Sequence, residues 1–298
     1  MAALIALANV LPPYGAQLMA QILILGLFAM SLDLLIGYTG LPSLGHAAYF
    51  GVAAYVAAIL SLRFAMPFAV AALAGLVATV VTAGLFHLVA LRTAKAYYLM
   101  ISLAFSQVLW SVAVSWTGIT GGDNGLPNVP RPAGLGSKGY LDAVVVIFVL
   151  CAIALYVFVR SPLGYALRGI RENEGRMSAL GYNVWNYKYA AALAAALFAG
   201  VAGELSMYLD SFVGPSALSV ALSAQVLMMT LVGAAGTLFG PFVGAIVFVF
   251  LQHVLSTYTA RWMLIMGLVY VAVALYAPDG IFGLLRRRPA ALAQPNSE

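Results

Sequence analysis

The sequence predicts an all-α fold, a polytopic transmembrane helical bundle of about 8–10 spans, some of them broken. Three observations carry this. The chain of 298 residues is 64% hydrophobic and only 8% charged, where soluble domains carry roughly 25% charged residues. Its mean hydropathy is +1.01. The apolar residues lie in long continuous runs, each near the roughly 20 residues that a helix needs to cross a bilayer. A soluble fold with so few charges would expose far too much apolar surface, so the solvent must be lipid. Lipid satisfies no backbone polar group, which leaves helices or closed barrels. A barrel needs short alternating strands, and these runs do not alternate.

The apolar stretches lie near 16–36, 43–62, 66–91, 96–117, 140–159, 189–209, 220–238, 241–259 and 262–278. The connections are short, except at 118–139 and 160–188. The first segment, "MAALIALANVLPPYGAQ", lacks a positive n-region and is not expected to be a cleaved signal peptide. Residues 1–285 read as one transmembrane domain, and 286–298 as a tail. The net charge of +5 does not indicate nucleic acid, because the charges sit in short loops between apolar runs. Alternating the sides of nine spans collects Arg92, Lys95, Arg160, Arg168, Arg171, Arg176, Lys188 and Arg286 to Arg288 on one side. Arg63, Arg131, Lys138 and Arg261 fall on the other. By the positive-inside rule the first side is cytoplasmic. That places 160–188 and the tail inside, and 118–139 outside.

Within 160–188, "YALRGIRENEGRMSALGYN" holds five of the chain's 23 charged residues. Ser161 and Pro162 read as an N-cap and first helical residue. Leu163, Leu167 and Ile170 recur at helical spacing, with Arg168, Arg171 and Glu172 pointing elsewhere. Gly175 weakens the helix, and Gly181 suits a left-handed C-cap. The expectation is two short helices with a bend, lying at the membrane surface, since five charges cannot be placed in lipid at roughly 2.5–3.5 kcal/mol each. Two readings stand: an amphipathic surface loop, or a docking element for a partner's groove.

Glycine shapes other segments. Gly236, Gly240 and Gly244 recur every four residues, as do Ala192, Ala196 and Gly200, a spacing that lets helices approach closely in lipid. Pro241 should interrupt a helix locally. In "GYTGLPSLGHAAYFG", Gly37, Gly40, Pro42 and Gly45 argue against one straight helix. The broken segments at 37–51 and 233–244 are candidates to frame a transport path. His46 is the ionisable residue of the first, read either as a hydrogen-bonded core residue or as a pathway residue. His87 and His253 read as core or interface residues. Glu204 reads as an intramembrane carboxylate with a function or as a wet residue near the span's external end. Asp33 reads as an interfacial residue. No histidine pair has metal-ligand spacing. The lone Cys151 excludes a disulfide framework. The external segment "WTGITGGDNGLPNVPRPAGLGSKG" is turn-rich, either a flexible connector or a contact surface, and its "GLGSKG" lacks P-loop spacing. Trp110, Trp116, Trp185 and Trp262 fall near span ends, as interfacial anchors do.

Five motifs, in order, resemble the inner-membrane permeases of branched-chain amino acid ABC importers. They are "DLLIGYTGLPSLGHAAYFGVAAY" (33–55), "WTGITGGDNGL" (116–126), the stretch from "SPLGYALRGIRENEGRMSALGYN" to "FAGVAG" (161–203), "LVGAAGTLFGPFVGA" (231–245) and "PDGIFGLL" (278–285). The chain is similar to the permease subtype that carries SLGH and TGGxNGL. The resemblance implies a bacterial inner-membrane subunit with the ABC importer permease fold. It implies a second related permease, two cytoplasmic ATPase subunits that bind the ATP, and a periplasmic substrate-binding protein. No cofactor is expected on this chain, and no enzymatic activity. Leu167, Arg168, Ile170, Arg171, Glu172, Glu174, Leu180 and Gly181 would then contact an ATPase. Gly121, Gly122, Asp123, Asn124 and Gly125 would shape the binding-protein contact. Gly45, His46, Glu204, Gly236 and Gly240 are the pathway or gating candidates. Glu204 departs from the small residue usual at this place in the family, which would suit a substrate with an extra polar or positive group. The competing functions are an ion-gradient-driven secondary transporter of a small polar solute and an intramembrane enzyme. The second lacks HExxH, GxSxG or paired intramembrane carboxylates.

Overall fold

The computed structural model describes residues 13–93, 95–131, 136–259, 261–276 and 280. The Arg286 to Arg288 tail and all of "PDGIFGLL" except Gly280 lie outside them. Among the described residues every apolar stretch carries a helix. The long ones are α1 (Pro13–Asp33), α2 (His46–Arg63), α3 (Phe68–Ala90) and α4 (Lys95–Ser115). A short α5 (Thr117–Thr120) precedes α6 (Ser137–Arg160), α7 (Pro162–Glu172), α8 (Glu174–Ala179) and α9 (Val184–Asp210). The chain continues through α10 (Val220–Gly233), α11 (Gly240–Tyr258) and α12 (Trp262–Tyr276). Among the described residues seven helices are long and apolar enough to span a bilayer, and Val220–Gly233 is a shorter apolar one.

Helix α3 shows how the chain sorts its faces. Ala71, Gly75, Thr79, Ala83 and His87 recur every four residues and are buried. The opposite stripe of Leu73, Val77, Val81 and Leu85 is more than half exposed. In lipid the bulky residues need no burial, and the small ones let backbones meet. The same logic joins α2, α3 and α9. A Cβ at Gly200 would lie 3.3 Å from Ala53, Leu76 and Thr79, and one at Gly203 would strike the Phe50 carbonyl. Helices α1, α2 and α9 thus form the centre, with Ala191, Ala192, Ala195, Ala196 and Ala199 all fully buried.

The helix interruptions fall where glycine marks them, but not as a uniform ladder. Helix α1 ends in a π-helical turn, Leu34–Thr39, closed by Gly40 at φ 71°. Residues 40–45 then run without helix into α2. The stretch expected to be helical to 238 stops at Gly233. Ala234, Gly236 and Leu238 have φ of 89°, 87° and 58°, so Gly236 belongs to a turn rather than to a helical ladder. Gly240 and Gly244 do pack against α10, because a Cβ at either would strike its backbone. Pro241 opens α11 at its first turn, where its missing N–H costs nothing, so it starts a helix instead of interrupting one.

The segment between α4 and α6 is pinned rather than loose. Gly121, Gly122 and Gly125 all have positive φ. Leu126 and Pro127 pair antiparallel with Val213 and Phe212. Arg131 donates to the carbonyls of Tyr208 (3.0 Å) and Leu209 (2.6 Å) at the end of α9. Arg63, at the end of α2, reaches the Gly118 carbonyl.

Candidate coupling site

The charged segment folds as its residues dictate. Ser161 Oγ accepts from the Gly164 N–H, and Pro162 opens α7. The bend comes at Asn173 rather than at Gly175. Asn173 is extended (φ −153°) and its Oδ1 accepts from the Arg176 N–H at 2.9 Å, so it ends one helix and caps the next. Gly181, at φ 90°, closes α8. The Tyr182 N–H donates to the Met177 carbonyl at 3.1 Å and the Gly181 N–H to Ser178 at 3.0 Å, a Schellman-type end. Lys188, buried at the start of α9, holds Glu174 at 2.7 Å.

Helix α7 is anchored to two interruptions of the bundle at once. Arg171 donates to the Gly37 carbonyl inside the π-helical turn of α1. The Arg168 guanidinium lies 5.0 Å over the Tyr38 ring. One turn earlier, Asp33 is fully buried. Its carboxylate accepts from the N–H of Gly236 at 2.6 Å and of Leu238 at 3.2 Å. A Cβ at Gly37 would strike Asp33 and the Gly236 backbone, and one at Gly236 would sit 2.8 Å from Arg171 Nη1. A Cβ at Gly280 would strike Ala234 in the same turn. The end of α1, the 234–239 turn and α7 therefore meet in one knot. A strained turn is held there by a buried carboxylate, whose charge-assisted bonds are worth about 1.5–3 kcal/mol each. A cavity of about 1070 Å³ opens beside the knot, with Arg160, Arg168, Arg171 and Glu172 among its lining residues.

Residues 15–274 match the family described as "Branched-chain amino acid transport system / permease component". The chain belongs to this family. It is 28% identical over 290 residues to the "High-affinity branched-chain amino acid transport system permease protein LivM" of Salmonella typhimurium, covering 87% of this chain and 68% of that protein. The same figures hold for the protein of that name from Escherichia coli. No solved structure matches the chain. As a member of this family, the chain is a multi-pass inner-membrane permease subunit of an ABC importer.

In this permease the expected coupling residues divide by exposure. Leu167 and Ile170 are fully buried in their own chain, because α7 turns its apolar edge onto the bundle, so they anchor the helix and are covered. Arg171 and Arg168 hold the knot. Glu172, Arg176, Gly181 and Leu180, which is 67% exposed, face outward. Glu174 is half exposed through its bond to Lys188. Asp33 is not interfacial; it is the acceptor on which the knot is built.

Of the pathway candidates, Gly236 lines the knot cavity, while Gly45, His46, Glu204 and Gly240 do not. Gly45 allows the 40–45 segment to touch α4, where a Cβ would strike the Ser102 carbonyl. His46 is fully buried, with Nε2 2.9 Å from Ser31 Oγ and its ring stacked on Phe28. Glu204 is buried too, against Gly75 of α3, and its Oε1 has no partner among the described residues. His87 is satisfied when Nδ1–H donates to the Ala83 carbonyl (2.7 Å) and Nε2 accepts from the Tyr98 hydroxyl (3.0 Å). At the far end of the bundle Asp123 and Asn124 are exposed at the tip of the glycine turn. The sequence reading missed a row of amides there: Gln17, Gln21, Gln225 and Gln252 line one cleft.

Proposed function

We propose that residues 160–188 are the cytoplasmic element through which two ATPase subunits drive this permease, with ATP bound on those subunits. The supporting observation is the knot: Arg171 ties α7 to Gly37 of α1, one turn from the Asp33 carboxylate that holds the 234–239 turn. A displacement of α7 is thereby delivered to α1, α10 and α11 together. The outward side chains Glu172, Arg176 and Leu180 form the contact with the ATPase, and Glu174 with Gly181 shapes it. Residues 1–285 act as one transmembrane domain with a cytoplasmic tail at 286–298. A second related permease completes the membrane path. A periplasmic binding protein delivers solute to the external segment at 118–139, with Asp123 and Asn124 at the contact on a base of Gly121, Gly122 and Gly125. The relatives' printed names support a branched-chain amino acid such as leucine as the solute.

The test is uptake and ATP hydrolysis measured together in proteoliposomes carrying the assembled importer. Glu172→Lys reverses a charge on the outward face and is expected to leave hydrolysis running while uptake falls. Equal loss of both, or of neither, counts against coupling through this face. Proton- or sodium-driven uptake by the chain without ATPases would refute the whole reading.

A further inference from the structure

The cleft at the other end of the bundle has a volume of about 420 Å³, within the roughly 300–1,000 Å³ of small-molecule sites. Gln17 and Gln21 enter it from α1, Ser206 and Asp210 from α9, Gln225 from α10 and Gln252 from α11. Phe50, Leu222 and Met207 supply an apolar wall. No lysine or arginine lines it among the described residues. The Gln252 Oε1 is buried without a hydrogen-bond partner among the described residues, and a buried acceptor left unmade costs about 1–3 kcal/mol. Four amides from three separate helices converge on a place where apolar side chains would be cheaper.

We propose that this cleft is a transit site for a zwitterionic amino acid, its ammonium group received by Asp210 and amide oxygens of the lining and its carboxylate by amide N–H groups. The inference rests on the permease reading and adds the place and chemistry of the solute's passage. An amide both donates and accepts, so a row of them matches both poles of a zwitterion. Being neutral, amides hold each pole loosely, which a path requires, since a solute must leave as readily as it enters. Its described lining holds one carboxylate and no cation, and Arg131 nearby offsets only part of the Asp210 charge, so the cleft leans against solutes of net negative charge. The apolar wall takes a branched side chain.

The experiment places a thiol in the cleft as Gln252→Cys in a Cys151→Ala chain, within the assembled importer in membrane vesicles. Labelling by a cationic and an anionic methanethiosulfonate reagent of similar size is compared, each rate normalised to a free thiol in solution. The cationic reagent is expected to react about tenfold faster, and millimolar L-leucine to slow it saturably. Gln225→Cys is the second position and should behave alike. Equal rates for the two reagents, or no protection by leucine, glutamine or lysine in an importer that still performs ATP-driven uptake, overturns the transit site while leaving the permease reading intact. Protection by glutamine or lysine but not leucine keeps the site and removes the branched-chain solute. ATP-independent uptake would instead remove the permease reading.

Discussion

Replacing Asp33 by alanine tests the knot most directly. The change removes both acceptors that hold the 234–239 turn, the partners of the Gly236 and Leu238 N–H groups. A buried donor left unpaired costs about 1–3 kcal/mol. Leu238 is only 3% exposed, so its N–H takes that cost in full, whereas Gly236 is half buried and water replaces part of its bond. The sum is about 2–4 kcal/mol. The turn also carries Ala234 at φ 89° and Leu238 at φ 58°, conformations that cost about 1–3 kcal/mol each and persist only when their surroundings impose them. The loss should therefore open the turn locally and leave the bundle folded. At tenfold per 1.4 kcal/mol, amide hydrogen exchange over 234–239 should quicken about 30- to 700-fold, with α2, α3 and α9 unchanged. Asp33→Asn keeps one acceptor oxygen and should give an intermediate rate. In proteoliposomes, more ATP should be hydrolysed per solute moved. Unchanged exchange over the turn in Asp33→Ala would refute the claim that this carboxylate holds it.

Three further outcomes are expected. Arg171→Glu removes the donor to Gly37 and sets a carboxylate near Asp33; exchange over 34–39 should rise and uptake should fall while hydrolysis continues, whereas Arg171→Lys retains a donor and part of the uptake. Glu174→Lys leaves buried Lys188 facing a like charge and should cost about 1–3 kcal/mol of stability in detergent, recovered by adding Lys188→Glu, as a two-variant thermal-stability comparison will read. Gly203→Leu drives a side chain into the Phe50 carbonyl and should lose roughly 1–3 kcal/mol or more by overpacking; monodisperse protein with an unchanged melting temperature would contradict the close α2–α9 contact.

The fold was legible because lipid makes composition speak: each apolar run carries a helix among the described residues, and Ser161, Pro162 and Gly181 marked their helix ends in the expected manner. What was not legible depended on contacts between distant segments. Spacing gave Leu167 and Ile170 as one apolar edge, and it was right about the edge. It carried no sign of which surface the edge would meet, and the bundle took it. Gly236, Gly240 and Gly244 look like one ladder because periodicity cannot see that Gly236 has φ 87°. Asp33 looks interfacial because its partners lie about 200 residues away as backbone N–H groups, which no side-chain motif records. One missed signal was readable. Gln17 and Gln21, four apart, share a face of a span, and Gln225 and Gln252 interrupt two others. Polar side chains in a span are costly enough to demand a partner or a function.

The placement of those amides bears on how the two ends of the molecule communicate. The helices that bring glutamine to the cleft are α1, α10 and α11. These are the same helices whose opposite ends meet in the knot, through Asp33 and Gly37 on α1 and the turn that joins α10 to α11. Helices α10 and α11 touch backbone to backbone at Gly233, Gly240 and Gly244, close enough to form one packed pair. A packed pair cannot absorb a push by bending side chains; it rotates or it stays, as close-packed interiors do. Ser206 and Asp210 reach the cleft on α9, which packs on α1 as well as on α2 and α3 and is tied to α8 through Lys188 and Glu174. Under the proposed coupling, a displacement of α7 reaches the cleft through α1, α10 and α11 by way of the knot, and through α9 by way of the Glu174–Lys188 pair. On that proposal the push would alter how the amides stand about Asp210, and with it the hold on the proposed zwitterion. Hydrolysis by the proposed partners would then need only to loosen that hold, and neutral amides keep it weak enough to be loosened.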